Sequence, residues 1–189
     1  MPFDGQQILP AIRSMKDFDK MLNYSFRYGV FLDLHVGMLK SVFDYARSEE
    51  KEMFIHMDLI QGLSNDEHAT EYVCQWVKPY GIISTRSNVI KKARQLNVRA
   101  IQRTFVIDSN ALKRSVQLIH KTDPDYIELL PGVVPKVIER IRLETGKPII
   151  AGGLIETPQE VVAAIEAGAS AITTSSLSLW NYFSAKKGT

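Results

Sequence analysis

Of 189 residues only one is a cysteine, Cys74. With no second thiol to bridge and no CxxC spacing, a disulfide scaffold and a cysteine-based zinc or redox centre are excluded, and a reduced, cytoplasmic setting is expected. Long hydrophobic runs are missing as well, none approaching the roughly 18 residues of a membrane span. The opening MPFDGQQILPAI carries Asp4 and no basic region ahead of an apolar core, so no export signal is expected. An excess of either charge is absent too. Twenty-three Lys and Arg against 21 Asp and Glu leave +2, which rules out a tail-like polycation that binds any polyanion by bulk charge. Acid is scarce only locally: from Tyr72 to Ile107 there is no Asp or Glu, while Lys78, Arg86, Lys91, Lys92, Arg94, Arg99 and Arg103 fall inside that window.

What is present is the composition of an ordinary globular chain, 45% hydrophobic and 23% charged. At this length roughly 70% of the unfolded surface can be buried, so a core needs neither disulfide nor metal. One domain is expected over residues 1–189, with a tail from about residue 183 that frays. Short β-branched runs alternate with segments of helical period throughout, the mark of βα units and a parallel sheet. Eight strands are expected: Gln7 to Ala11, Tyr28 to Asp33, Met53 to Asp58, Gly81 to Ser84, Arg99 to Thr104, Tyr126 to Leu130, Pro148 to Ala151 and Ala171 to Thr174. Their ends recur every 20 to 26 residues. Helix punctuation agrees. Ser14, Ser64 and Asp108 or Ser109 stand where N-caps belong, Thr157-Pro158 with Glu160 reads as a capping box, and Gly146 and Gly168 stop helices. Behind Ser64, the residues Ala69, Val73 and Trp76 are expected to pack, as are Met57 and Cys74. Eight such pairs point to a compact, TIM-like (β/α)8 barrel, with an open doubly wound sheet as the alternative.

In such a barrel function gathers where strands end, and phosphate is commonly held after strands seven and eight. Gly152-Gly153 leaves the seventh strand, where glycines let backbone N–H groups approach an anion, and Thr174-Ser175-Ser176 leaves the eighth ahead of a short helix. These five are the candidate phosphate site; the plain alternative is a tight turn and a helix cap. Asp33, His35, His56, Asp58, Ser84, Arg103 and Glu128 end other strands. Glu128 lies inside the apolar run YIELLP, and a buried carboxylate is expensive unless paired or bound to something. Asp33, His56, Asp58, Arg103 and Glu128 are therefore candidates for the hydroxyls of a small polyol phosphate. A purely structural Arg103–Glu128 pair and a core His56 with a backbone partner are the plain readings. His68 and His120 fall on helices and are expected to be solvated.

The runs ILPAIR (Ile8 to Arg13), HMDLIQG (His56 to Gly62), GIISTRSNVIKKA (Gly81 to Ala93), AIQRTFVIDS (Ala100 to Ser109), DYIELLPGVVP (Asp125 to Pro135), AGGLIET (Ala151 to Thr157) and TTSSLSLW (Thr173 to Trp180) closely resemble the glycerol-3-phosphate-responsive antiterminator family over nearly the whole chain. The resemblance implies a cytoplasmic, non-enzymatic regulator of glycerol-uptake operons. It would bind glycerol 3-phosphate as effector and then engage the leader of its mRNA so that transcription passes a terminator. No cofactor, resident metal or membrane is implied. A homodimer is compatible with the little basic area a small barrel offers. No motif marks the RNA surface, and neither an RRM-like aromatic signature nor a KH loop is present. Arg86, Lys91, Lys92 and Arg94, in the acid-free window, are the candidates. The alternative is a sugar-phosphate isomerase, epimerase or lyase. No lysine ends an expected strand for Schiff-base chemistry, but Asp33, His35, His56 and Asp58 could hold a divalent metal.

Overall fold

The computed structural model describes residues 2–184. Eight parallel strands close into a barrel in chain order, β1 pairing with β8: β1 (Ile8–Ile12), β2 (Tyr28–Phe31), β3 (Glu52–His56), β4 (Gly81–Ser84), β5 (Arg99–Phe105), β6 (Tyr126–Leu130), β7 (Ile149–Gly152) and β8 (Ala169–Thr174). Each is followed by a helix: α1 (Met15–Leu22), α2 (Leu39–Ser48), α3 (Glu67–Tyr72), α4 (Ser87–Gln95), α5 (Ser109–Thr122), α6 (Pro135–Thr145), α7 (Pro158–Glu166) and α8 (Leu177–Phe183). Of the tail expected to fray, Phe183 ends α8 and Ser184 is buried; residues 185–189 lie outside the described residues.

Successive strand residues point to opposite faces, so the strands divide their apolar side chains between two cores. Leu9, Val30, Phe54, Ile83, Ile101 and Ile150 fill the barrel. Ile8, Phe31, Ile55, Ile82, Ile127 and Ile172 face the helices. The barrel's N-terminal end is sealed by Phe3, which stacks on Tyr126 at 5.0 Å between ring centres and meets Tyr28 and Phe54 edge-on.

Two strands end earlier than the residue pattern predicts, at Phe31 instead of Asp33 and at His56 instead of Asp58. After His56 the chain enters a 3-10 turn, Met57–Leu59, and Asp58 swings to the next strand. Its carboxylate accepts hydrogen bonds from the Ser84 hydroxyl and from the amide and hydroxyl of Thr85. Asp66, not Ser64, caps α3, accepting from the Ala69 amide while Ser64 donates to it. Ser14, Asp108 and the Thr157–Glu160 box cap α1, α5 and α7 as expected.

Trp76, expected in the core, is 65% exposed. The chain beyond α3 continues as a π turn, Val73–Val77. Its wider winding keeps Val73, Cys74 and Val77 against the core and carries the indole off the buried face. Cys74 does pack, and burial pushes its thiol up to about 12.

Candidate functional site

A cleft of about 400 Å³ opens at the C-terminal ends of the strands, over β6, β7, β8 and the start of β1 and β2. One wall is backbone and hydroxyl: Gly153, and Thr174, Ser175 and Ser176 at the end of β8. The amides of Gly153 and Ser175 enter no hydrogen bond with the described residues. The Ser176 amide donates to the Thr174 hydroxyl, and the Trp180 indole N–H donates to the Thr174 carbonyl at 2.8 Å, which pins this turn against α8. Helix α8 has only seven residues. An anion here would therefore be held by individual amides and hydroxyls rather than by a long helix dipole.

The opposite wall is ionic. Arg103 Nε donates to Glu128 Oε2 at 2.6 Å, and Thr173 Oγ1 donates to Glu128 Oε1 at 2.9 Å. The register places Arg103 beside Glu128 and Gly152 beside Thr173, so all four face inward. The structural pair anticipated for Arg103 and Glu128 is present, and both residues also line the cleft. Glu128 is 1% exposed, a buried carboxylate with both oxygens engaged.

Gly152 itself forms the floor. A Cβ there would stand 2.4 Å from Thr173 Oγ1 and 3.5 Å from Glu128 Oε1. The Gly152→Ala variant is expected to push Thr173 off Glu128 and lose about 1–3 kcal/mol of stability, the usual cost of an inserted methyl group. Thermal denaturation beside the parent chain measures it.

His56 lies deeper, on an inward position of β3 one residue pair above Phe54, and is 2% exposed. Neither ring nitrogen has a hydrogen-bond partner among the described residues, so the backbone partner expected for a core histidine is not there. Burial pushes its pKa down to about 4, with the Arg103 cation adding to the effect. The ring is thus neutral near pH 7, one nitrogen a donor and the other an acceptor.

The structure does not bring Asp33 and Asp58 into the cleft wall. Asp33 is exposed and pairs with Arg13 at 3.5 Å. Burial works to raise the Asp58 pKa, but the Ser84 and Thr85 hydrogen bonds outweigh it and hold the carboxyl below its ordinary value. His35 Nδ1 accepts from the Gly37 amide at the surface. The four residues considered for a divalent metal are therefore dispersed, and no group of three or more ligating side chains gathers among the described residues. His68 and His120 are exposed.

Three cleft residues were not among the candidates: Arg13, Leu154 and Thr173. Arg13 directly follows β1, and Thr173 continues the inward alternation from Ala171, so both carried a signal in strand-end position and parity. On helix α4, Lys92 is neutralised by Glu71 at 2.8 Å, and Arg94 by Asp125 and by Asp123 at 3.5 Å. Arg86 and Lys91 form no ion pair among the described residues.

The model of the family described as glycerol-3-phosphate responsive antiterminator matches residues 8–180. The crystal structure of a glycerol uptake operon antiterminator regulatory protein from Listeria monocytogenes superposes with a TM-score of 0.93 at 45% identity, covering 96% of this chain and 98% of that one. A glycerol uptake operon antiterminator-related protein from Thermotoga maritima gives 0.84 at 30% identity, covering 93% and 98%. Among curated proteins, the uncharacterized protein YgcP of Escherichia coli (strain K12) is 32% identical over 146 residues, 77% of this chain and 76% of that relative. Aldolases at 15% identity or less share the fold alone.

Proposed function

Because the chain belongs to the glycerol-3-phosphate responsive antiterminator family, we propose that it senses glycerol 3-phosphate in this cleft and, when loaded, engages the leader of an mRNA so that transcription passes a terminator. It acts in the cytoplasm as a regulator and not as an enzyme. The observation that carries the ligand half is the division of one cleft of about 400 Å³ into two chemistries. The amides of Gly153 and Ser175 with the hydroxyls of Thr174 and Ser176 suit a phosphate. Arg103, Glu128 and Thr173, with His56 below, suit vicinal hydroxyls. The volume is that of a small-molecule site.

A neutral imidazole that both donates and accepts matches an alcohol, which also does both, better than a carbonyl, which only accepts. The reading therefore favours a phosphorylated polyol over the corresponding ketone. Effector binding shifts RNA affinity only so far as it prefers the RNA-competent state, typically by 1–3 kcal/mol or about 5- to 150-fold.

Calorimetric titration with glycerol 3-phosphate, glycerol, inorganic phosphate and dihydroxyacetone phosphate, followed by leader-RNA binding with and without the first of these, tests both halves. Glycerol 3-phosphate should bind more tightly than the other three and raise RNA affinity. Equal affinity for inorganic phosphate would remove the polyol half, and an RNA affinity indifferent to ligand would remove the switch.

A further inference from the structure

We infer that single-stranded RNA runs across the N-terminal end of the barrel, the end opposite the ligand cleft; the inference rests on the reading that the chain engages RNA. A hollow of about 670 Å³ at that end is bordered by Arg27, Arg47, Lys51, Lys78 and Arg99, against the acids Asp4 and Glu52. It continues through Arg47 and Lys78 into a second hollow of about 620 Å³ formed with Lys40, Gln75 and Trp76. Asp4 and Glu52 pair with Arg27, and Asp44 serves both Lys40 and Arg47. Lys78 and Arg99 form no ion pair among the described residues. Six cations thus face three acids along the strip, and Glu49 and Glu50 bound it on the Phe26 side.

Charge alone would suit any polyanion. The aromatic groups narrow the partner. Trp76 presents a bare indole, 65% exposed, among Lys40, Arg47 and Lys78. The π turn that puts it there is clamped by Arg47, whose guanidinium donates to the carbonyls of Val77 and Lys78 at 3.0 Å. Arg99 lies flat over the Tyr80 ring, 4.1 Å from its centre. Exposed rings interleaved with cations stack unpaired bases while the cations track the phosphates; a duplex would offer no free base face to the indole. On α4, by contrast, acids from neighbouring elements already occupy Lys92 and Arg94.

The placement also separates the two ligands. Arg99 and Arg103 lie on one strand, β5, four residues apart. At the rise of a parallel strand that is about 13 Å. Effector and RNA therefore bind at the same time and do not compete for space.

The test uses the full chain saturated with glycerol 3-phosphate, a twelve-nucleotide oligouridine and the leader RNA. Trp180 is 1% exposed, so solvent-sensitive tryptophan emission comes from Trp76. Both RNAs should quench it. Trp76→Phe should abolish the quench and weaken binding about tenfold. Lys78→Gln with Arg99→Gln should lower the slope of log affinity against log salt by about 1.4, the share of two phosphate contacts on a single strand. All three substitutions should leave calorimetric glycerol 3-phosphate affinity unchanged, which also shows that the variants fold.

Wild-type RNA affinity and salt slope in these variants, with loss instead in Arg86→Gln with Lys91→Gln, would move the RNA to α4 and overturn the inference while sparing the regulator reading. Displacement of glycerol 3-phosphate by RNA would overturn it equally. Absence of RNA binding by the parent chain would sink both.

Discussion

Replacing Glu128 by alanine should abolish glycerol 3-phosphate binding and lower stability by about 3 kcal/mol, a melting-temperature drop of about 10 °C for a chain of this size. The reason is the company the carboxylate keeps. It is almost fully buried and satisfies the Arg103 guanidinium on one oxygen and the Thr173 hydroxyl on the other. Alanine leaves a guanidinium, itself only 16% exposed, facing the apolar barrel interior without a counter-ion. Breaking one side of a buried pair costs far more than removing both. The double variant Arg103→Met, Glu128→Leu should therefore recover most of the lost stability and none of the ligand affinity. Thermal denaturation and calorimetry on the parent, single and double variants separate the two roles. A double variant as unstable as the single one would mean that shape, not charge, holds this wall.

Acid should destabilise the chain through His56 before it reaches the ordinary carboxylate range. In the unfolded chain this imidazole titrates near 6.5; in the fold, burial and the Arg103 cation push it down to about 4. Between those values the unfolded state takes up a proton that the folded state refuses. The stability associated with a neutral His56 is thus complete above pH 6.5 and is lost as pH falls from 6.5 to 4, amounting to about 3 kcal/mol at the lower limit. Asp58, whose pKa is lowered, works in the same direction through a more acidic window, its contribution vanishing as pH falls through the folded value. Denaturant unfolding of the parent and of His56→Phe at pH 7.5, 5.5 and 4.5 measures the difference. The variant should lose the part of the slope between 6.5 and 4 and keep the steeper fall below it. Parallel curves would assign the acid sensitivity elsewhere.

Most of the barrel is legible along the chain because each βα unit must fold back to the same radius, which imposes a regular interval on strand ends. The cap residues Ser14, Asp108 and Thr157 are legible because their partners lie three residues away. What fails to show in the sequence depends on contacts between distant segments. Asp58 looks like a strand residue until Ser84 and Thr85 draw it into a turn. Trp76 looks like core until one turn winds more widely. The window from Tyr72 to Ile107 is free of acid only in one dimension: in three, Glu71, Asp123 and Asp125 lie against α4, and the uncompensated cations are Lys78 and Arg99 at its edges. Glu128 was conspicuous as a charge in an apolar run, whereas Thr173 was hidden among hydroxyls, and only its register opposite Gly152 picks it out.

The aromatic seal made by Phe3 turns the barrel into a cup. Tyr126, Tyr28 and Phe54 close around that ring from three sides, leaving no passage between the two ends. Whatever settles under the Gly153–Leu154 turn has one doorway for arrival and departure. How long a captured metabolite stays is then governed by that turn, where Gly153 and the non-glycine Leu154 both hold positive φ, a tense hinge at the lip rather than a leak through the base.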